Sequence, residues 1–512
     1  MTRNRLREAR SRSVSAADQP AAGSRSWLSG RWGFVCAAGL VAVGAGVYTG
    51  ASQVRHAAYA ARLPSLPELS GQPAAVGERL VALDRSARAQ PTSIDAVGAL
   101  GLAYHADMFY GQAERVYAIT EDLSGFAWRW TYYRALARGM RGDIGGLAEG
   151  LRQVVAAAPD FGPAWWRLGE AEFKAGHYER ADDAWRHALP LGEPVGSADQ
   201  ASPARVPSAP VSAYATLGLA RLAMMRGETD RAGALLEDIT VEAPSFGPAF
   251  RLLGDVYATL DRVQDAERAT RVANGLAPYE PYLDPLTEAL VHESRSTTFL
   301  LQQAATVDLN TNAAWREYLV RRALKFDPDH VEALYDLATM FRLLRRYDEA
   351  LVLLERLRRR RPDDFQLFAD MGQCLWGLRR YAEAEEILRR ALDGLDNADV
   401  HNGLGLVLNQ VGRLREAVVE YRRALDRNPN HLGALNNLGA ALVSQDQLDE
   451  AMGQFDRLVA LDPGDPDAQT SLGVVFSRVG SYEQAVGAFQ EALRIDPDHE
   501  DARARLREIE LR

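Results

Sequence analysis

Prolines 429, 463 and 497 stand 34 residues apart, and prolines 328 and 362 repeat the interval. A fixed period of that length is the strongest constraint in this chain, because it describes a supersecondary unit too small to bury its own apolar face. Only stacking can satisfy such units, so the chain must fold as an array. Aligning the prolines brings Leu404-Gly405, Leu438-Gly439 and Leu472-Gly473 into register, then Ala417, Ala451 and Ala485, then Tyr421, Phe455 and Phe489. In the unit 466–499, Leu472, Gly473 and Phe476 share one helical face, and Ala485, Phe489 and Ala492 share the face of a second helix. Small Gly473 and Ala485 let the two helices approach while an aromatic ring fills the space beside them. Gly480 permits the turn between them, and Asp496-Pro497 stops the second helix.

The order Leu-Gly, aromatic, Ala, aromatic, Pro resembles the tetratricopeptide repeat, and the resemblance covers most of the chain. It implies an all-α fold, a right-handed superhelical solenoid of antiparallel helix pairs. Clear units fall at 331–364, 365–397, 398–431, 432–465 and 466–499, with a polar capping helix at 500–512. Upstream, 94–127, 162–195, 213–246 and 247–280 keep the pattern. The unit 128–161 is divergent, and 297–330 is weakest because Arg316 takes the place of a small residue. Two stretches interrupt the register. Residues 196–212 predict a mobile loop. Residues 281–296 (PYLDPLTEALVHESRS) divide an N-terminal arm, 94–280, from a C-terminal arm, 297–499; they either bend the superhelix or add a helix without bending it.

Ahead of the array, residues 32–51 contain no charge and give about 30 Å of helix, enough to cross a bilayer. Seven Arg precede this stretch against Glu8 and Asp18, so the expected topology is a basic cytoplasmic tail at 1–31, one transmembrane helix, and an exported repeat region. Secretion after signal cleavage near residue 51 is the competing expectation. Residues 52–93 predict a Pro-rich spacer, then a leading helix from Val76 with Leu80, Leu83 and Ala87 on one face.

The register absorbs nearly all of 94–499, and no nucleophile elbow, phosphate loop, haem-attachment or zinc spacing occurs in it; the expectation is a non-enzyme without cofactor or metal. His330, His431 and His499 each follow a repeat-ending Pro and read as loop residues, and Cys374 reads as a small buried hydrophobe. A formal net charge of -10 argues against nucleic acid as partner. The resemblance implies a protein or peptide partner lying along the inner surface formed by the first helix of each pair. Exposed places projected there are Tyr132, Trp166, Glu170, Phe173, Lys174, Arg221, Arg251 and Asp255, continuing through Tyr335, Arg342, Gln373, Trp376, Asn402, Asn409 and Asn436. Trp166 and Phe173 fit inter-repeat core equally well. No Lys follows Lys325, so the clamp that some relatives use for a C-terminal carboxylate is not reproduced. Arg356, Arg358, Arg359, Arg360 and Arg361 offer a second surface, for anionic polysaccharide or lipid, or simply a solvated face. A membrane-tethered scaffold that assembles or exports an envelope complex is the leading expectation, with docking on an anionic surface as the alternative.

Overall fold

The computed structural model describes residues 50–191, 209–276, 282, 284–307 and 309–510, and among them it contains helices and turns but no strand. Five antiparallel pairs come first: Ile94–Ala106 with Tyr110–Leu123, Trp128–Met140 with Ile144–Ala157, Gly162–Lys174 with Tyr178–Ala188, Val211–Met225 with Thr229–Glu242, and Gly247–Thr259 with Val263–Asn274. A helix at Pro285–Glu293 follows. Six more pairs then run from Thr297–Ala305 with Leu309–Phe326 to Pro466–Arg478 with Tyr482–Ile495, and Glu500–Glu510 closes the array. Within each run of pairs consecutive helices pack on one another, so the cores merge along the stack: one continuous cluster reaches from Phe368 to Val475. Ala502, Leu506 and Ile509 of the last helix cover Phe489, as the first helix of a neighbouring pair does elsewhere in the array.

Two local features recur along the array. In several pairs the backbone at the eighth place of the first helix lies against an aromatic ring from the second: a Cβ on Gly439 would fall 2.6 Å from Phe455, and one on Gly473 equally close to Phe489. At the fifteenth place the chain turns through the left-handed region. Gly142, Gly176, Gly227, Gly412 and Gly480 do so freely, whereas Met108, Asp261, Arg345, Arg379 and Asp446 adopt the same positive φ against the clash of their own Cβ. The shared turn extends the register through the divergent unit 128–161.

Several expectations need revision. Residues 50–62 form a helix where a spacer was expected, and its Tyr59 and Arg62 both hold Asp122. The Pro-rich stretch is confined to 63–73, before the leading helix Ala74–Ala89, whose Val76, Leu80 and Ala87 are buried. The expected loop ends earlier than residue 212, since Ala209 is buried and Val211 begins a helix; its portion up to 208 lies outside the described residues. The expected membrane segment lies outside them too, except Gly50 and Ala51, and no described helix is long and apolar enough to cross a membrane. In the weakest unit, Arg316 is accommodated because the first helix is short, the second is broken at Asn312, and Asp336 neutralises the guanidinium at 2.5 Å.

Candidate functional site

The first helices present an inner stripe before and after the helix Pro285–Glu293, and these two halves differ. Over the first five pairs the stripe is covered by the chain itself. Asp284 caps the helix Pro285–Glu293, accepting from the backbone N–H groups of Leu286 and Thr287, while the Thr287 hydroxyl accepts from the backbone N–H of Asp284. The second oxygen of Asp284 accepts from the Tyr132 hydroxyl at 2.6 Å and from Arg167 at 3.1 Å, and Arg167 also donates to the Tyr132 oxygen at 2.8 Å. Tyr132 and Asp284 are fully buried, and the Arg167 side chain is 21% exposed. Burial holds the Tyr132 phenol well above its ordinary range, and the Tyr132 and Asp284 oxygens hold the Arg167 guanidinium charged. Two residues earlier, Tyr282 meets Trp166 and Tyr214 edge-on at 5.3 Å each.

Further along, the segment keeps retreating toward the start of the stack. Tyr133 donates to the Leu286 carbonyl at 3.0 Å, Leu290 is buried among Val76, Leu80, Leu100 and Tyr104, and Asp107 accepts from the backbone N–H groups of Arg295 and Ser296 at 2.9 and 3.0 Å. Neighbouring Val291 is buried instead against Trp315 and Leu319 of the next pair. Residues 282 and 284–296 therefore run back over the inner stripe from the third and fourth pairs to the first, and join the two halves of the molecule through neighbouring faces of one short helix.

This corrects the projected site over the first half. Tyr132 is fully buried, and Trp166 packs on Tyr214 and Tyr282. Glu170 pairs with Arg221, whose guanidinium also lies 5.3 Å from the Phe173 ring. Arg251 donates to the carbonyls of Ala273 and Leu276, closing the end of the helix Val263–Asn274. Only Lys174 and Asp255 stand exposed.

Over the second half the stripe is open. Tyr335 donates to Asp370 at 2.9 Å, Arg342 to the Gln373 side-chain oxygen at 2.7 Å, and Asn437 to Asn402 at 2.9 Å; Asn409 and Asn436 are exposed. Two hollows lie along it. One, of about 430 Å³, opens beside Tyr335; the other, of about 280 Å³, is lined by Arg342, Gln373, Trp376 and Asn402. The Trp376 indole N–H is buried with no acceptor. Of the Arg run, Arg356 and Arg360 share Asp329 at 2.7 and 2.6 Å, Arg358 pairs with Glu355 at 2.8 Å, and Arg361 lies 4.0 Å from Asp364. Arg359 alone of the run makes no ion pair among the described residues. No group of His, Cys, Asp and Glu among those residues is arranged to hold a metal, and Cys374 is buried, its thiol pushed up to about 12 by desolvation.

Models of the tetratricopeptide repeat match residues 341–406 and 408–473, and a second such model matches 312–365 and 454–500. Between residues 312 and 500 the chain carries tetratricopeptide repeats. No curated protein sequence matches it. Similar solved structures include YrrB, described as a tetratricopeptide-repeat protein with an unusual peptide-binding site, at 25% identity over 36% of this chain and 95% of that one, with a TM-score of 0.30. A MamA structure labelled MSR-1 has 26% identity over 33% and 97%, with a TM-score of 0.29. A thermophilic tetratricopeptide-repeat protein of Thermus thermophilus has 20% identity over 36% and 100%, with a TM-score of 0.31. Each spans about a third of this chain, too short a stretch to bear on its partners.

Numbering by repeat exposes what the sequence reading missed. Tyr132 and Tyr335 are both the fifth residue of a repeat, and Arg167 and Asp370 are both the sixth residue of the repeat that follows. The projected stripe took fifth places but not sixth ones, so both charged partners escaped it. The helix start at Asp284 was legible: Asp-Pro followed by Thr at the third helical place is a capping pattern.

Proposed function

We propose that this protein is a membrane-tethered interaction scaffold that takes an extended segment of a partner protein along the open first-helix stripe from Tyr335 to Asn436, in the assembly or export of an envelope complex. Tetratricopeptide repeats in general mediate protein–protein contact, and they are typically not catalytic. The observation that carries the reading here is the contrast within one stripe: the first half is already filled by a chain segment, which displays what such a stripe holds, and the second half offers the same kind of surface uncovered. Gln373, Asn402, Asn409 and Asn436 supply amides that both donate and accept, as a peptide main chain requires, and Trp376 supplies a partly buried ring beside them. The tether rests on the uncharged stretch 32–51 and the seven Arg before it. The Arg run supports no second reading, because four of its five guanidinium groups face carboxylates.

Crosslinking and pull-down with the full chain from envelope extract test the binding half of the proposal. Protein partners should be recovered and should be lost on Trp376→Ala with Asn402→Ala; partners that persist unchanged in that variant overturn the groove assignment. An alkaline phosphatase fusion after residue 95 should be active, and an inactive fusion reverses the topology.

A further inference from the structure

The filled half of the stripe shows how this chain reads a segment lying across two repeats, and the open half carries the same step with its charge reversed. At Tyr132 and Arg167, the fifth place of one repeat and the sixth of the next form a clamp, and what the clamp holds is the carboxylate of Asp284. Tyr335 and Asp370 occupy the same two places one array later. Asp370 is 4% exposed. One of its oxygens accepts from Tyr335 at 2.9 Å and the other from Gln366 at 3.2 Å; the nearest internal cation, Arg342, is 4.0 Å away and donates instead to Gln373.

The hollow that opens beside Tyr335 is bordered by Glu332, Asp336 and Asp364, with Arg361 the one basic residue lining it. Asp336 is neutralised by Arg316, and Arg361 stands 4.0 Å from Asp364. The Glu332 side chain is 72% exposed, 3.3 Å from His330. Tyr335 and Gln366, which line the hollow, both donate to Asp370 behind them, so a carboxylate lies behind one wall and Glu332 stands at the rim of a hollow of about 430 Å³, large enough for one long side chain. The matching step in the filled half is positive and holds an acid.

Resting on the groove reading above, we infer that the Tyr335–Asp370 step takes a Lys or Arg side chain of the partner segment, so that the protein selects an extended segment with a basic residue where its own inserted segment has Asp284. The cation donates to the Tyr335 hydroxyl oxygen, with Asp370 behind that hydroxyl and Glu332 at the rim. Such a site gives selectivity by charge, since an acidic side chain there would face two carboxylates.

A library of displayed heptapeptides panned on the full-length chain in detergent tests this. The wild-type protein should enrich Lys or Arg at one position by about tenfold over the starting library, and added salt should erode that enrichment. Asp370→Asn should bring the preference to near the library level, and Asp370→Arg, which copies the charge of the filled step, should turn it toward Asp and Glu. Enrichment of peptides without charge preference, a basic preference indifferent to salt, or one that survives Asp370→Asn overturns this inference alone. Failure of the wild-type chain to enrich any peptide overturns the groove reading on which it rests. The salt dependence is read on the unmodified chain, so the inference stands or falls even where the Asp370 variants do not fold.

Discussion

The two halves of the inner stripe are made from the same repeat and do opposite things with it. Before residue 277 the fifth and sixth places are used up: Tyr132, Tyr133, Trp166 and Arg167 bind the returning segment, and that segment is part of the core. After residue 296 the corresponding places bond to one another across the step between repeats, as in Tyr335 with Asp370 and Asn402 with Asn437, and leave hollows between. The difference teaches that a repeat's position does not define its role. An inner-face aromatic is a binding residue or a core residue according to whether something already lies on it, and in this molecule a short helix with one side in each half decides which.

The largest expected effect breaks the filled half. Asp284→Ala removes the carboxylate that neutralises Arg167 and satisfies Tyr132 inside the protein, and leaving a buried guanidinium unpaired costs about 3–5 kcal/mol. Chemical denaturation should show the lower stability, with partner binding at the second half retained in whatever fraction stays folded. Trp376→Ala should do the reverse, losing the partner while changing stability by no more than about 2 kcal/mol, since the ring is only partly buried and its indole N–H bonds to nothing. A Trp376→Ala variant as destabilised as Asp284→Ala would mean that the second stripe is core as well.

Acid should separate the halves next. His105 lies buried beside Tyr117, Tyr110 and Tyr133, and desolvation, with Arg167 adding to it, holds its imidazole down to about 3. The folded pKa is below the unfolded value of about 6.5, so the unfolded chain takes up the proton first, and stability present above pH 6.5 is lost as pH falls toward 3. By pH 4 the loss is on the order of 3 kcal/mol. In the second half, Asp396 is held at about 2 by Arg427 and His401, which preserves its stabilising charge until pH drops below the ordinary carboxylate range. Hydrogen exchange at about pH 4.5 should therefore loosen the first pairs and leave 398–431 protected, and His105→Phe should remove most of the contrast. Equal loosening of both halves in the wild type would show that His105 is not the source.

The all-helical array was legible because its determinants are local and periodic: the ring of Phe455 on Gly439 and the stop at Pro463 recur at fixed distance, whatever lies elsewhere in the chain. The covering of the first stripe was not, because it depends on a contact between Tyr132 and Asp284, 152 residues apart, that no period encodes. Tyr132 and Tyr335 stand at the same place in their repeats and look alike in sequence, yet one is fully buried and the other half-buried. The charged sixth places, Arg167 and Asp370, were hidden for a different reason. They sit one residue off the exposed stripe, where a helical projection puts the edge of the core, and a buried charge becomes intelligible only once its partner across the repeat boundary is known.

The smallest effect concerns what the halves share, and it checks that their difference lies in side chains and not in backbone. The turn between the two helices of a repeat has positive φ at Met108 and Asp261 in the first half and at Arg345, Arg379 and Asp446 in the second, with φ between 56° and 67°. A residue with a Cβ is strained there by the approach of its own backbone, and glycine relieves the strain while adding freedom to the unfolded chain, so the two terms partly cancel. Asp261→Gly and Arg379→Gly should each stabilise the protein by about 0.5–1 kcal/mol, and Gly176→Ala and Gly412→Ala should each destabilise it by a similar amount. Arg379 makes no side-chain ion pair among the described residues to offset the gain, whereas Asp446 would give up its bridge to Arg478 and should gain less. Thermal midpoints of these variants should order by residue type and not by half. An Asp261→Gly gain with no gain at Arg379→Gly would mean that the turns differ between the halves, and that the register equating Tyr132 with Tyr335 does not carry the same backbone geometry across the inserted helix.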